Sequence, residues 1–121
     1  MKIVPFFKVR DLQEAIDFYT KILDFEIKYP DEPFDGWGID LINGEAELQL
    51  SVLEGMTDLA INVFVDDVDV LFEKYTKRGL NQSHSTESPV HLGPINQTWG
   101  RKEFYVTDPS GNTLRFAATI N

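Results

Sequence analysis

The groups able to carry chemistry in this sequence are few. It has no cysteine and two histidines, His84 and His91, which excludes disulfides, thiolate metal sites and cysteine nucleophiles. The histidines lack the i, i+4 helical or i, i+2 strand spacing of a paired metal site, so surface or loop positions are expected for both. No Gly-X-Ser-X-Gly elbow is present. Gly36 and Gly38 flank Trp37 with no helical pattern behind them, which gives no phosphate-cradling loop. Asp66 and Asp67 read as a helix start rather than a catalytic acid pair.

Aromatic side chains are more informative. Tyr29, Phe34, Trp37 and Trp99 fall in or beside two stretches without periodicity, Pro30 to Trp37 and Pro89 to Thr98. Rings in such places either cover a core or offer flat platforms to a planar ligand, and position alone leaves both readings open. Asp31, Glu32 and Asp35 beside Phe34 either draw a cation toward those rings or form a solvated acidic loop. The whole chain is acidic, with 11 basic and 20 acidic residues and a net charge of −9. Such a field repels phosphate backbones, so no nucleic-acid partner is expected; it serves solubility or a cationic or neutral ligand.

The elements that must hold these residues come as a repeat. Val9, Asp11, Leu12, Tyr19, Thr20 and Lys21 recur at constant spacing as Val65, Asp67, Val68, Tyr75, Thr76 and Lys77. Each copy opens with an apolar, β-branched and aromatic run, Ile3 to Val9 and Leu59 to Val65, which predicts a strand. Asp11 and Asp67 then stand where N-caps belong, and Glu14 completes a capping box with Asp11. Leu12, Ala15, Ile16, Tyr19, Ile22 and Leu23 follow at one-faced helical spacing, as do Val68, Leu71, Phe72 and Tyr75, with Gly79 as a C-cap.

Further strands are expected over Phe25 to Tyr29, Gly38 to Ile42, Glu45 to Val52, His84 to Ser88, Lys102 to Thr107 and Thr113 to Ala118. Asn43-Gly44 signals a type I′ hairpin, and Asp108 to Asn112 a tight turn. The fold class is therefore α+β: one domain, residues 1–121, built from two β-α-β-β-β repeats of about 1–55 and 56–121, its curved sheets enclosing a cleft. With 121 residues, 42% of them hydrophobic, a single core is affordable. No apolar run reaches signal-peptide or membrane-span length, so a cytoplasmic protein without membrane contact is expected.

Val9-Arg10-Asp11-Leu12, Phe18-Tyr19 with Leu23-Asp24-Phe25, and Asp108-Pro109-Ser110-Gly111-Asn112-Thr113-Leu114 together resemble the vicinal-oxygen-chelate superfamily of glyoxalases, dioxygenases and antibiotic-resistance proteins. The resemblance covers nearly the whole chain. Trp99-Gly100-Arg101 running into Glu103-Phe104, with Val4-Pro5 ahead of Val9, is similar to the bleomycin resistance branch in particular. Enzymes of the superfamily hold a divalent metal through His, Gln and Glu. The corresponding positions here are Val4, Ala60 and Arg115, with Gln49 the one oxygen donor, so neither metal nor cofactor nor catalysis is expected.

The branch resemblance implies aromatic side chains that grip a planar antibiotic in clefts at a homodimer interface. The implied ligand contacts are Tyr29, Phe34, Trp37, Ser51, Asn62, Trp99, Gly100 and Arg101, with Asn62 standing where a tryptophan occurs in relatives. Pro5 lacks a ladder donor and suits an edge or bend, and the branch resemblance implies that a proline here accompanies exchange of the N-terminal strand between protomers. The function implied is sequestration of a bleomycin-type, planar, cationic antibiotic. The alternatives are a metal-dependent lyase, isomerase or thiol transferase, and a binder of another small molecule.

Overall fold

The computed structural model describes residues 1–32, 35–80 and 89–120. Its elements run β1 (Phe6–Lys8), α1 (Leu12–Asp17), a π-helical turn (Phe18–Ile22), β2 (Glu26–Ile27), β3 (Gly38–Asn43), β4 (Ala46–Ser51), β5 (Ala60–Phe64), α2 (Val68–Lys77), α3 (Pro89–Leu92), β6 (Ile95–Asn96), β7 (Arg101–Thr107) and β8 (Thr113–Thr119). They form two four-stranded mixed sheets, ordered β1-β4-β3-β2 and β5-β8-β7-β6, each with one parallel pair at the edge strand that opens its repeat. This is the α+β architecture that the repeat predicts.

The chain divides into two compact units. The first comprises Met1–Leu59 and Asp108–Asn112, the second Ala60–Thr107 and Thr113–Asn121. In the first, alternation along the strands puts Phe7, Leu41, Leu48 and Leu50 on one face, all at most 1% exposed. Leu12, Ala15 and Ile16 of α1 bury the helix's apolar stripe alongside them in the core. Asp11 caps α1 by accepting from the Glu14 N–H at 2.9 Å, and Arg10 grips the Glu14 carboxylate at 2.8 and 3.1 Å. The helix does not continue regularly to Leu23 as its spacing predicts. After Asp17 it widens, and the Leu23 N–H bonds five residues back to the Phe18 carbonyl.

In the second unit Asp67 accepts from Asp69 N and Val70 N. The end of α2 is a Schellman motif, with Leu80 N on the Tyr75 carbonyl, Gly79 N on the Thr76 carbonyl, and Gly79 at φ +103°. The core is aromatic: Phe104 and Phe116 stack at 5.0 Å, and Phe72 and Tyr75 of α2 pack on them. Each such ring pair adds about 0.5–1.5 kcal/mol beyond its burial.

Three expectations need correction. The β3–β4 hairpin has Gly44 and Glu45 as its central residues, and only Gly44 has positive φ, +60°. That is the type II′ pattern rather than I′, because pairing of Asn43 with Ala46 draws Asn43 into the ladder. The stretch from Pro89 to Thr98 is not wholly irregular: it holds α3 and the short edge strand β6, paired with β7. His91 is therefore not a surface histidine. It is 8% exposed in α3, with Nε2 2.8 Å from the Thr107 hydroxyl and its ring edge-on to Tyr105. The predicted strand His84 to Ser88 lies outside the described residues.

Candidate functional site

The Asp108 turn, although it interrupts the second unit's strands in sequence, is part of the first unit. Asp108 is 2% exposed and accepts from Ser110 N, Asn112 N, Asn112 Nδ2 and the Tyr19 hydroxyl, at 2.8 to 3.2 Å. Asn112, fully buried, donates onward to the Lys8 carbonyl and accepts from Leu59 N. Burial, and then the Asp108 charge, push the Tyr19 phenol well above its ordinary value, so it stays a donor. A Cβ at Gly111, φ +94°, would come within 2.5 Å of Asp58 Oδ1. The motif that stands out most in the sequence is thus a buried clamp and not a reactive centre.

The first unit also carries a cavity of about 570 Å³. Its wall takes Phe6, Asp40, Gln49 and Ser51 from the sheet face turned away from α1, and Ile27, Ile39, Leu50, Gln13 and Ile16 from the helix side. Tyr29, Pro30, Glu32, Asp35, Trp37 and Gly38 complete it. Tyr29 and Trp37 are 46% and 56% exposed, rings held at an opening and not buried. Asp35 Oδ1 accepts from Trp37 N at 2.7 Å and Gly38 N at 3.3 Å, which fixes the approach of Trp37 to β3. A Cβ on Gly38 would meet the Leu50 carbonyl at 3.0 Å, so this part of the wall is backbone.

One face of the Tyr29 ring is already taken by the Lys28 ammonium, 5.1 Å from its centroid. Lys28 also binds Glu47 at 2.5 Å, and Lys2 binds the same carboxylate at 2.7 Å. The bond from Lys2, then that from Lys28, holds the Glu47 carboxyl below its ordinary range. Lysine charge near the opening is thereby neutralised, while Glu32, Asp35 and Asp40 lie in the wall. The arrangement suits a cation or a planar cationic ring.

Of the ligand contacts expected from sequence, this cavity brings together Tyr29, Trp37 and Ser51. Ser51 is 8% exposed, and its hydroxyl accepts from Leu53 N and Glu54 N, a turn-forming duty. Phe34 lies outside the described residues. Asn62, Trp99, Gly100 and Arg101 belong to the second unit. There Trp99 is 53% exposed, with its indole N–H 3.2 Å from Glu103 Oε2; Gly100 turns at φ +82°; and Arg101 covers the Phe64 ring at 4.7 Å. Sequence reading missed Asp40, whose signal was its place opposite Gln49 in the hairpin register, and Tyr105, which donates to Glu103.

A chelated metal does not fit the donors present. Val4 and Ala60 offer hydrocarbon, Arg115 is a fixed cation lying 4.9 Å over the Tyr105 ring, and Gln49 alone supplies oxygen. Among the described residues no three His, Asp or Glu side chains are grouped to hold an ion. Among the same residues no helix is long and apolar enough to cross a membrane.

Comparison with known proteins places this geometry. A bleomycin resistance determinant encoded on transposon Tn5 superposes with a TM-score of 0.77 at 20% identity, covering 98% of both chains. The bleomycin-binding protein of bleomycin-producing Streptomyces verticillus, solved with copper(II)-bleomycin, gives 0.73 at 22% identity over 100% of this chain and 96% of that one. A lactoylglutathione lyase from Agrobacterium tumefaciens gives 0.73 at 16% identity over 98% and 92%. No curated protein matches the sequence. These likenesses establish the fold; the family model for glyoxalase, bleomycin resistance protein and dioxygenase matches residues 5–116. The chain belongs to the glyoxalase/bleomycin resistance protein/dioxygenase superfamily.

Proposed function

We propose that this protein binds and sequesters a planar, cationic small molecule of the bleomycin type, protecting by occupancy and not by turnover. The observation that carries the reading is the first unit's cavity, where the open rings of Tyr29 and Trp37 share one wall with Glu32, Asp35 and Asp40. Stacking a cation or heteroaromatic ring on such a platform contributes roughly 0.5–2 kcal/mol per contact. Several contacts are needed to exceed the cost of immobilising the ligand. Slow release then sets the protection. The solved relatives with bleomycin in their names support the class of ligand.

Asn62, Trp99, Gly100 and Arg101 are proposed as further ligand contacts, on the second unit. A homodimer with exchanged N-terminal strands is part of the proposal. β1 is a three-residue edge strand, and Pro5, which has no N–H, precedes it and accepts from Gln49 N at 2.9 Å. A monomer in sedimentation at micromolar concentration counts against the dimer.

The test is a tryptophan-fluorescence titration with bleomycin, with and without copper on the drug. Saturable quenching is expected, and Trp37→Ala should weaken binding by about 1 kcal/mol or more. Absence of quenching at micromolar drug overturns the reading. Metal analysis of the purified protein addresses the lyase alternative: stoichiometric Zn, Ni or Mn would restore an enzymatic role.

A further inference from the structure

The two open rings of the first unit's cavity stand in different surroundings. Tyr29 carries the Lys28 ammonium over one face, 5.1 Å from its centroid, and Lys28 is not among the residues that line the cavity. The lysine therefore backs the ring, and the cavity meets the rest of it. No cation lies over Trp37 among the described residues. Its backbone N–H donates instead to Asp35 Oδ1 at 2.7 Å, which sets a carboxylate at the foot of the ring.

Lys28 is fixed at both ends. Its backbone N–H, just past β2, donates to the Asp40 carbonyl of β3 at 2.9 Å, and its ammonium reaches Glu47 of β4 at 2.5 Å. The Glu47 side chain is 9% exposed and is bound by Lys2 as well, at 2.7 Å, so the carboxylate is an anchored partner. The bond to Glu47 raises the Lys28 pKa above its ordinary value, and the ammonium stays charged at neutral pH. Paired with Glu47 the lysine adds little net charge to the opening, but over Tyr29 it draws on the negative π cloud that a second cation would need. Two cations on opposite faces of one ring also repel each other across it. An uncharged ring loses nothing by this, because its stacking rests on contact area and offset geometry. Trp37, with no cation over it, is of the ring type that attracts cations best.

We infer that Lys28, fixed by Glu47, is a specificity-determining residue that turns Tyr29 away from positive charge, so that the cavity stacks an uncharged ring on Tyr29 and a cationic ring on Trp37. Lys28 and Glu47 stand outside the cavity lining, and their part in choosing the ligand rests on the reading of this cavity as a planar-ligand site.

NMR titration of the full-length protein with N-methylquinolinium and with uncharged quinoline near neutral pH, followed at the Tyr29 and Trp37 ring signals, decides this. N-methylquinolinium should contact Trp37 and quinoline Tyr29. Lys28→Met keeps the apolar stem and removes the charge; it should tighten N-methylquinolinium severalfold and bring it onto Tyr29, while quinoline changes less than twofold. Lys2→Met makes the same change in net charge at a lysine that does not lie over the ring, and should leave both affinities within twofold. Glu47→Gln leaves Lys28 unmatched and should weaken N-methylquinolinium severalfold; if it misfolds, the two lysine variants decide alone. Equal gains from Lys2→Met and Lys28→Met, equal gains for both probes, unchanged affinity in folded Glu47→Gln, or N-methylquinolinium on Tyr29 of the wild-type protein overturns the inference and leaves planar-ligand binding standing. No saturable binding of either probe, by wild type or Lys28→Met, overturns both.

Discussion

Two carboxylates are buried in this protein almost equally, Asp108 at 2% exposure and Glu103 at 1%, and they are built in opposite ways. Asp108 accepts four hydrogen bonds, one from a phenol whose ionisation is suppressed, and it ties a tight turn to the first strand and helix of its unit. Glu103 accepts two bonds, both of 3.2 Å, and has an arginine that does not close on it. A buried charge held by short, convergent donors is a structural part whose removal leaves orphaned donors. Glu103 is as deeply buried but is held by fewer and longer bonds. Burial alone therefore does not tell how firmly a carboxylate is held; saturation of its hydrogen bonds does.

The largest expected effect tests the tight member of the pair. Asp108→Ala strands the Tyr19 hydroxyl, two backbone N–H groups and the Asn112 amide in a dry site, and should lower unfolding free energy by about 3–5 kcal/mol in a denaturant titration. A loss under 1 kcal/mol would show that the turn is held by its neighbours instead. Tyr19→Phe removes one bond to that carboxylate and should cost about 1.5–3 kcal/mol at neutral pH.

The same bond has an alkaline signature. Because the folded-state pKa of Tyr19 is raised above its ordinary 10.0, the stabilisation from keeping it neutral is fully present below pH 10 and is lost as pH rises further, when the unfolded chain ionises first. Wild-type stability should therefore fall more steeply above pH 10 than that of Tyr19→Phe. Identical slopes would place the phenol outside the clamp.

Much of the framework is legible in the sequence because its causes are local. The recurrence of Val9, Asp11 and Tyr19 as Val65, Asp67 and Tyr75 reports the repeated strand, cap and helix, and Gly79 reports the turn that ends α2. The widening after Asp17 was not legible, since Phe18 to Ile22 has ordinary helical spacing. Nor was the hairpin type: Asn43-Gly44 carries a strong local signal, yet ladder pairing of Asn43 with Ala46 overrides it. The site is harder still, because it depends on register. Asp40 meets Gln49, and Arg115 meets Asn62 and Tyr105, across strands far apart in sequence. Asp108 reads in sequence as one turn residue, and only the fold shows that Tyr19 comes to it.

Glu103→Gln, the loose member of the pair, should have the smallest effect on stability, about 1 kcal/mol or less, because its amide can meet both partners. The carbonyl oxygen still accepts from the Trp99 indole, and the amide N–H₂ donates to Tyr105, whose hydroxyl can turn from donor to acceptor. Yet the substitution removes the only carboxylate within 4.0 Å of the Arg115 guanidinium among the described residues. A loss of stability comparable to that of Asp108→Ala would make Glu103 a second clamp and end the distinction between the two.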